Sequence, residues 1–367
     1  DIRVRLAKEK KISIDDLKAF VEENAGFSIK YRYKQRLSAV VFKDDATIIR
    51  FDLTKVQQFD AIKNYGNGVV SYEFEIELQT SNRKEKYLTT MYNESLKILK
   101  ILQQSNTVVT NSVKCDVISK YCQLLTVESK KTKLYGRQPV SLEIRHLTNN
   151  LPNKYAVTDK ADGERHLLFI LDTKVYLINT NLVVRDTGIV VDKIYNNTVL
   201  DGEYIFIADS NRYIFMVFDC LFHKNVDTRD HILLKRLEYA YDVVNECFAS
   251  DVKQHLELYK NSDFSIDKIV KFHKSNLTKS IHDLKRTLQT SGKTPIVRVK
   301  YFIPVHGIME NEIYVYSVLV WNTFMYDVDI KCPYTLDGLI YQPLQEKYVV
   351  DKFKISNYDY KWKPPNK

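Results

Sequence analysis

The sequence predicts an α+β fold in two domains, with antiparallel sheets flanked by helices. Three observations predict it. Charged and apolar residues alternate along three stretches within the first 80 residues. Apolar stripes at helical spacing follow at 84–104 and 112–127. Short apolar runs, broken by Asp-Gly pairs, then recur through the remainder of the chain.

Residues 1 to about 80 read as strand-rich. Arg32, Lys34 and Arg36 alternate with Tyr31, Tyr33 and Gln35, and Arg50, Asp52 and Thr54 alternate with Ile49, Phe51 and Leu53. Glu73, Glu75 and Glu77 alternate with Phe74, Ile76 and Leu78. In a strand each such set points to one face. Three glutamates on one face repel each other unless cations stand opposite. The pattern suits a divalent metal held by the glutamates, with Arg32, Lys34, Arg36 and Arg50 cradling phosphates. An ordinary sheet with a charged outer face gives the same alternation.

Leu88, Tyr92, Leu96, Leu99 and Leu102 form one helical stripe, and Val113, Val117, Tyr121 and Leu124 form another. The basic run Lys130–Lys133 reads as a linker, which places a domain boundary near residue 130 and gives domains 1–130 and 131–367. Residues 228–260 read as a helix and 265–290 as a basic amphipathic helix or pair of helices. Residues 296–304 and 312–326 read as strands. Between 267 and 300 there are nine Lys or Arg against two Asp. Lys268, Lys271, Lys274, Lys285 and Arg286 there are candidates for phosphate contact, and a solvated helix face is the plainer reading.

Composition bounds the class. The chain has 367 residues, 44% of them hydrophobic, enough for more than one core. Its net charge of +9 favours polyanionic partners. No apolar run approaches the ~20 residues of a membrane span, so no membrane partner is expected. The five cysteines show no ligand-pair spacing, which argues against zinc and a disulfide framework. A reducing intracellular compartment, the cytoplasm, is the expectation.

Five segments carry the chemistry. The first is Thr158-Asp159-Lys160-Ala161-Asp162-Gly163-Glu164-Arg165, which offers a positioned amine. A lysine amine attacks phosphorus or carbon once its proton is removed. A surface Asp-Gly turn is the alternative reading. The others are Leu200-Asp201-Gly202-Glu203, Phe218-Asp219, Asp337-Gly338-Leu339 and Lys361-Trp362-Lys363-Pro364. Attack on an α-phosphate needs a nucleophile, hard oxygen ligands for Mg²⁺ or Mn²⁺, and cations for the phosphates.

In this order the segments resemble the covalent nucleotidyltransferases, the superfamily of mRNA guanylyltransferases and ATP-dependent ligases. The Lys-Trp-Lys-Pro ending looks like a capping enzyme. Tyr135-Gly-Arg-Gln-Pro-Val-Ser-Leu-Glu143 and Leu233-Leu-Lys-Arg-Leu237 are similar to the capping enzymes of large DNA viruses. The resemblance covers about residues 135 to 365. It implies that Lys160 carries GMP covalently and that GTP is the substrate. It also implies that Asp162, Arg165, Glu203, Phe218, Asp219, Lys361 and Lys363 hold the nucleotide, with Glu203 and Asp337 at the metal. The accepting partner is then RNA with a 5′-diphosphate end.

The glutamate strand resembles the triphosphate tunnel metalloenzymes, which include viral RNA triphosphatases acting on 5′-triphosphate RNA. That family uses two Glu-x-Glu strands, and one is found here. The expected fold is therefore a partial tunnel-type antiparallel β domain, then a nucleotidyltransferase domain without its OB-fold lid. Without that lid, GTP binding with poor lysyl-GMP formation is expected. A downstream methyltransferase domain or subunit, and a viral factory or virion setting, are implied by resemblance alone. An ATP-dependent ligase using the same lysine and a non-catalytic RNA-binding module are the alternatives.

Overall fold

Three sheets, of three, seven and five strands, organise the described residues. The computed structural model describes residues 12–24, 30–60, 67–81, 84–103, 105–126, 134–149, 151, 154–248, 250, 265–290, 292, 295–350 and 355–364. The chain divides into two units, residues 1–102 and 103–367. Lys130–Lys133 fall outside the described residues.

In the first unit, helix α1 (Ile14–Glu23) starts at Ser13, whose hydroxyl accepts from the Asp16 backbone N–H at 3.1 Å. Strands β1 (Tyr31–Lys43), β2 (Thr47–Phe59) and β3 (Val69–Thr80) then form an antiparallel sheet in that order. Helix α2 (Glu85–Gln103) follows. The register sets Lys34 beside Val56, Arg36 beside Thr54 and Thr54 beside Glu73. One face therefore carries the alternating charges, as the periodicity requires.

The second unit begins with α3 (Asn111–Leu125), which explains why the division lies upstream of residue 130. Its Val117, Tyr121 and Leu125 are buried in one cluster with Leu167, Phe169 and Ile178. After β4 (Val140–Ser141) and α4 (Ile144–Asn149) come β5 (Tyr155–Ala161), β6 (Glu164–Leu171), β7 (Lys174–Asn179), β8 (Val184–Val190), β9 (Thr198–Ile207), β10 (Arg212–His223) and β11 (Val226–Asp227). Helices α5 (Leu233–Phe248) and α6 (Ile266–Thr290) precede β12 (Ile296–Val299) and β13 (Ile303–Pro304). Helix α7 (Glu312–Met325), β14 (Leu336–Pro343) and β15 (Tyr360–Trp362) complete the described elements.

These strands build two sheets. One runs β11-β10-β9-β6-β7-β8, with β12 parallel to β10; the other runs β13-β5-β14-β15-β4. The architecture is thus α+β, with mainly antiparallel sheets and flanking helices. The Asp162-Gly163 pair joins β5 of one sheet to β6 of the other, so it is a crossover and not a hairpin turn.

One of the predicted elements changes type. Residues 265–290 contain one helix, α6. The 228–260 helix is described as α5, Leu233–Phe248, with 251–264 outside the described residues. Residues 312–326 form α7 where strands were expected. That run, Glu-Ile-Tyr-Val-Tyr-Ser-Val-Leu-Val-Trp, is rich in β-branched and aromatic side chains. Ile313, Tyr316, Leu319, Val320 and Phe324 are nevertheless buried together. A helix buried on most sides loses its polar face, and with it the period that separates it from a strand. Among the described residues no helix is long and apolar enough to cross a membrane.

Arg236 of α5 is almost fully buried and donates to both oxygens of Asp219, Nε at 2.7 Å and Nη2 at 2.9 Å. Removing one partner of such a pair strands the other charge. Arg236→Ala should lower the unfolding free energy by about 3–5 kcal/mol. Lys235→Ala, at the exposed pair with Glu238, should change it by less than about 1 kcal/mol. Urea titration of both variants checks the difference.

Candidate active site

Lys160 is the next-to-last residue of β5, opposite Gly338 of β14. Its amine bonds the Oδ2 oxygen of Asp337. Lys363, just beyond β15, reaches the same oxygen at 2.7 Å. Burial alone would push the Asp337 carboxyl up, but hydrogen bonds from Lys160 and Lys363 outweigh it and hold it below the usual aspartate range.

Asp337 reaches this position through a β-bulge. Leu336 pairs with Ala161 and Gly338 with Lys160, which leaves Asp337 as the extra residue. A bulge bends its strand and re-aims a side chain. Gly338 sits at φ +138°, where only glycine is comfortable, and a Cβ there would collide with the Trp362 carbonyl. The same device operates in the other sheet. Val217 pairs with Gly202 and Asp219 with Asp201, so Phe218 is the extra residue of β10.

A pocket lies between these strands. Its lining includes Thr158, Asp159, Lys160, Gly163, Arg165, Asp201, Glu203, Phe218, Lys300, Phe302, Ile340, Gln342 and Tyr348, closed by Arg137, Gln138, Pro139 and Asp359. The Arg165 guanidinium stands 5.6 Å from the Phe218 ring centre, within cation–π reach. It donates to both oxygens of Asp201, to Tyr348 and to the Arg137 carbonyl. Gly136 lacks the Cβ that would occupy the guanidinium's place. Arg137 in turn bonds Asp359 and the carbonyls of Lys347 and Asn357.

The expected residues are only partly assembled. Lys160, Arg165, Glu203 and Phe218 line the pocket, Asp337 bonds Lys160, and Lys363 bonds Asp337. Lys361 stands opposite Ile340, a lining residue. Asp219 does not reach the pocket lining, because Arg236 holds its buried carboxylate. Asp162 is exposed at the crossover, where its backbone N–H bonds the Thr335 carbonyl at 3.1 Å.

In the first unit, Arg32 and Lys34 pair with Glu73, Arg36 with Asp52 and Glu75, and Arg50 with Asp52 and Glu77. The glutamates' repulsion is relieved by cations within their own face. Among the described residues, no group of three or more His, Cys, Asp or Glu is placed to hold a metal.

Sequence reasoning missed Lys300. This buried lysine bonds Glu203 Oε2 at 2.8 Å and the Asp159 carbonyl at 3.1 Å. Burial pushes its ammonium down, yet the Asp159 and Glu203 carboxylates outweigh that and raise it above the ordinary lysine value. The available signal was a lysine closing the apolar run Ile296-Val-Arg-Val-Lys300. Tyr348 and Asp359 sit in segments whose sequence gives no such signal.

A family model described as mRNA capping enzyme, catalytic domain, matches residues 102–293, just over half of the chain. The chain belongs to that family. This capping-enzyme chain is 33% identical over 346 residues to a probable mRNA-capping enzyme of Acanthamoeba polyphaga mimivirus. The alignment covers 92% of the chain and 28% of that relative, so the chain spans well under a third of its length. Among solved structures, a mycobacterial DNA ligase D complexed with ATP and MES matches at 12% identity and TM-score 0.34. That match covers 63% of this chain and 60% of the ligase chain. The ligase domain of LigD from M. tuberculosis gives 12% identity and TM-score 0.34, covering 63% and 59%.

The pocket's back wall rests on a histidine pair. Thr158 donates to the Tyr301 carbonyl at 2.8 Å, and the Tyr301 hydroxyl meets His273 Nδ1 at 2.9 Å. His273 Nε2 lies 3.2 Å from His306 Nε2, with Tyr316 against both rings and Glu312 on the His306 backbone N–H. Burial, with a smaller push from His306, lowers His273 to about 3. The unfolded chain therefore binds a proton below the ordinary histidine value that the fold refuses. Stability from this group is complete above about pH 6.5 and declines by about 1.4 kcal/mol per unit below it. Between pH 7 and pH 5 the protein should lose about 2 kcal/mol more than a His273→Gln variant, by urea unfolding.

Proposed function

We propose that this pocket binds GTP and transfers its GMP moiety, through Lys160, to the 5′-diphosphate end of RNA. The observation that carries the reading is the Lys160 amine, clasped by Asp337 beside Lys363 at a pocket lined by Phe218 and Arg165. The family match supports it. The Lys160 ammonium first gives up a proton to solvent water, and its Nζ then attacks the α-phosphorus as a free amine. An N–P bond forms, the bond from that phosphorus to the bridging oxygen breaks, and pyrophosphate leaves. A terminal phosphate oxygen of the RNA then displaces the lysine, forming the capped end. Dividing one displacement into two is the advantage of a covalent carrier.

Phe218 offers a face to the base, and Arg165 stays fixed by Asp201 at the adjoining edge. Lys363 and Lys361 would hold the phosphate chain. Glu203 and Asp337 fit a divalent ion in kind. Their Oε2 and Oδ2 oxygens take the lysine pairs, while Oε1 and Oδ1 are not used in them. Mg²⁺ or Mn²⁺ held there would neutralise phosphate charge as it builds.

A second reading rests on the charged face of the first unit. Arg32, Lys34, Arg36 and Arg50 would exchange their carboxylate partners for an RNA 5′-triphosphate. A divalent ion would need Glu73, Glu75 and Glu77 rearranged, since they form no metal-holding group among the described residues. Release of the γ-phosphate would then supply the diphosphate acceptor. Triphosphatase activity surviving in a Glu73→Ala/Glu75→Ala variant would end that reading.

Incubation with α-labelled GTP or ATP and Mg²⁺ or Mn²⁺ tests the principal reading. Weak acid-labile label from GTP is expected, and its complete loss in Lys160→Ala. Label from ATP alone would mark a ligase instead. Label retained by Lys160→Ala would remove the lysine from its role.

A further inference from the structure

Helix α6 carries its charge in an ordered way. Ile269, His273, Leu277, Ile281, Leu284 and Leu288 are buried on one side. Lys268, Lys271, Ser275, Lys279, His282 and Arg286 are all exposed. Their spacing of 3, 4, 4, 3 and 4 residues keeps them on one stripe, diametrically opposite the buried face. The stripe runs about 27 Å along the helix at 1.5 Å per residue.

The structure separates these cations from others on the same helix. Lys274 leans to Asp327 at 3.6 Å, and Lys285 donates to the Ile330 carbonyl at 3.0 Å. Arg286 and Arg298 share Asp283, each at 2.8 Å. Among the described residues, no carboxylate pairs with Lys268, Lys271 or Lys279. No carboxylate lies within the stripe itself.

We propose that this stripe is a track for the phosphate backbone of single-stranded RNA. The choice of RNA rests on the capping reading above. A row of cations on a stiff helix matches a polymer of anions. A membrane surface fits less well, because insertion needs an exposed apolar face, and here that face is committed to the core. The helix also backs the pocket. His273, on its buried side, meets Tyr301, whose carbonyl holds Thr158 of the pocket lining. RNA on the stripe would therefore lie on the side of α6 away from the pocket, with Tyr301 and the width of the helix between them.

The test measures anisotropy of a short fluorescent single-stranded RNA across a sodium chloride titration. The proteins are the wild type, Lys268→Gln/Lys271→Gln/Lys279→Gln, and the Glu version of the same triple. A control triple, Lys114→Gln/Lys120→Gln/Lys174→Gln, changes as many exposed charges elsewhere in the same unit. The stripe variants should flatten the slope of log affinity against log salt by about 2, at about 0.7 for each phosphate no longer neutralised. The control should leave the slope near the wild-type value. An unchanged slope in the stripe variants, or an equal flattening in the control, overturns the proposal. So does displacement of the RNA by anionic vesicles through the same lysines with no preference for RNA.

Labelling with GTP alone keeps the two readings apart. It should be unaffected in the stripe variants, while transfer of GMP to RNA falls. Absence of GTP labelling in the wild type would defeat the capping reading and leave the binding result standing on its own.

Discussion

Two carboxylates with no exposed surface, Asp201 and Asp219, stand opposite each other where β9 meets β10. Like charges set opposite in a sheet repel, and burial removes the water that would screen them. The fold around the pocket answers that constraint. Arg165 comes from the adjacent β6 and Arg236 from α5, each taking both oxygens of one carboxylate. Tyr348 bonds Asp201 as well, and Arg137 joins the same neighbourhood through its carbonyl and through Asp359. Segments far apart in sequence are thereby fixed to one another by directional bonds. Apolar packing of equal area would fix them less uniquely.

The network matters to the proposed chemistry because Arg165 is immobilised before any nucleotide arrives. Preorganised charge does not have to be reoriented during reaction. The reacting side is arranged differently. Lys160 and Lys363 share one oxygen of Asp337, and Lys300 neutralises Glu203. These charges are paired within the protein, so a triphosphate or metal ion entering the pocket would exchange partners rather than meet bare charges. That limits the desolvation cost of a resting site rich in buried ions.

Geometry enters through irregularity. Asp337 and Phe218 are each the extra residue of a bulge, one in each sheet. Regular alternation would have spaced their strand neighbours differently and sent these side chains elsewhere. The two bulges flank the crossover at Asp162-Gly163 that carries the chain from one sheet to the other. The proposed nucleophile therefore sits where both sheets can contribute to one pocket.

The sequence by itself determined the α+β class, the charged face of β1 to β3, the helices α2, α3 and α6, although Leu88, Tyr92 and Leu102 of the α2 stripe stay exposed, and the set of segments around Lys160. Each of those is written in local periodicity or in a short motif, and strands and amphipathic helices announce their period. Only the tertiary structure decided the rest. Helix α7 is buried on most sides and so lacks the period that would have marked it. Asp219 is drawn away from the pocket by the buried Arg236 of α5, an element that follows β10 in the chain. Lys300, Tyr348 and Asp359 enter the site through long-range bonds that no local pattern records. The division of the chain moves from residue 130 to 102 because α3 buries its apolar stripe against the second unit's sheet. Period and motif are local properties, whereas the pairing of buried charge is settled only when distant segments meet.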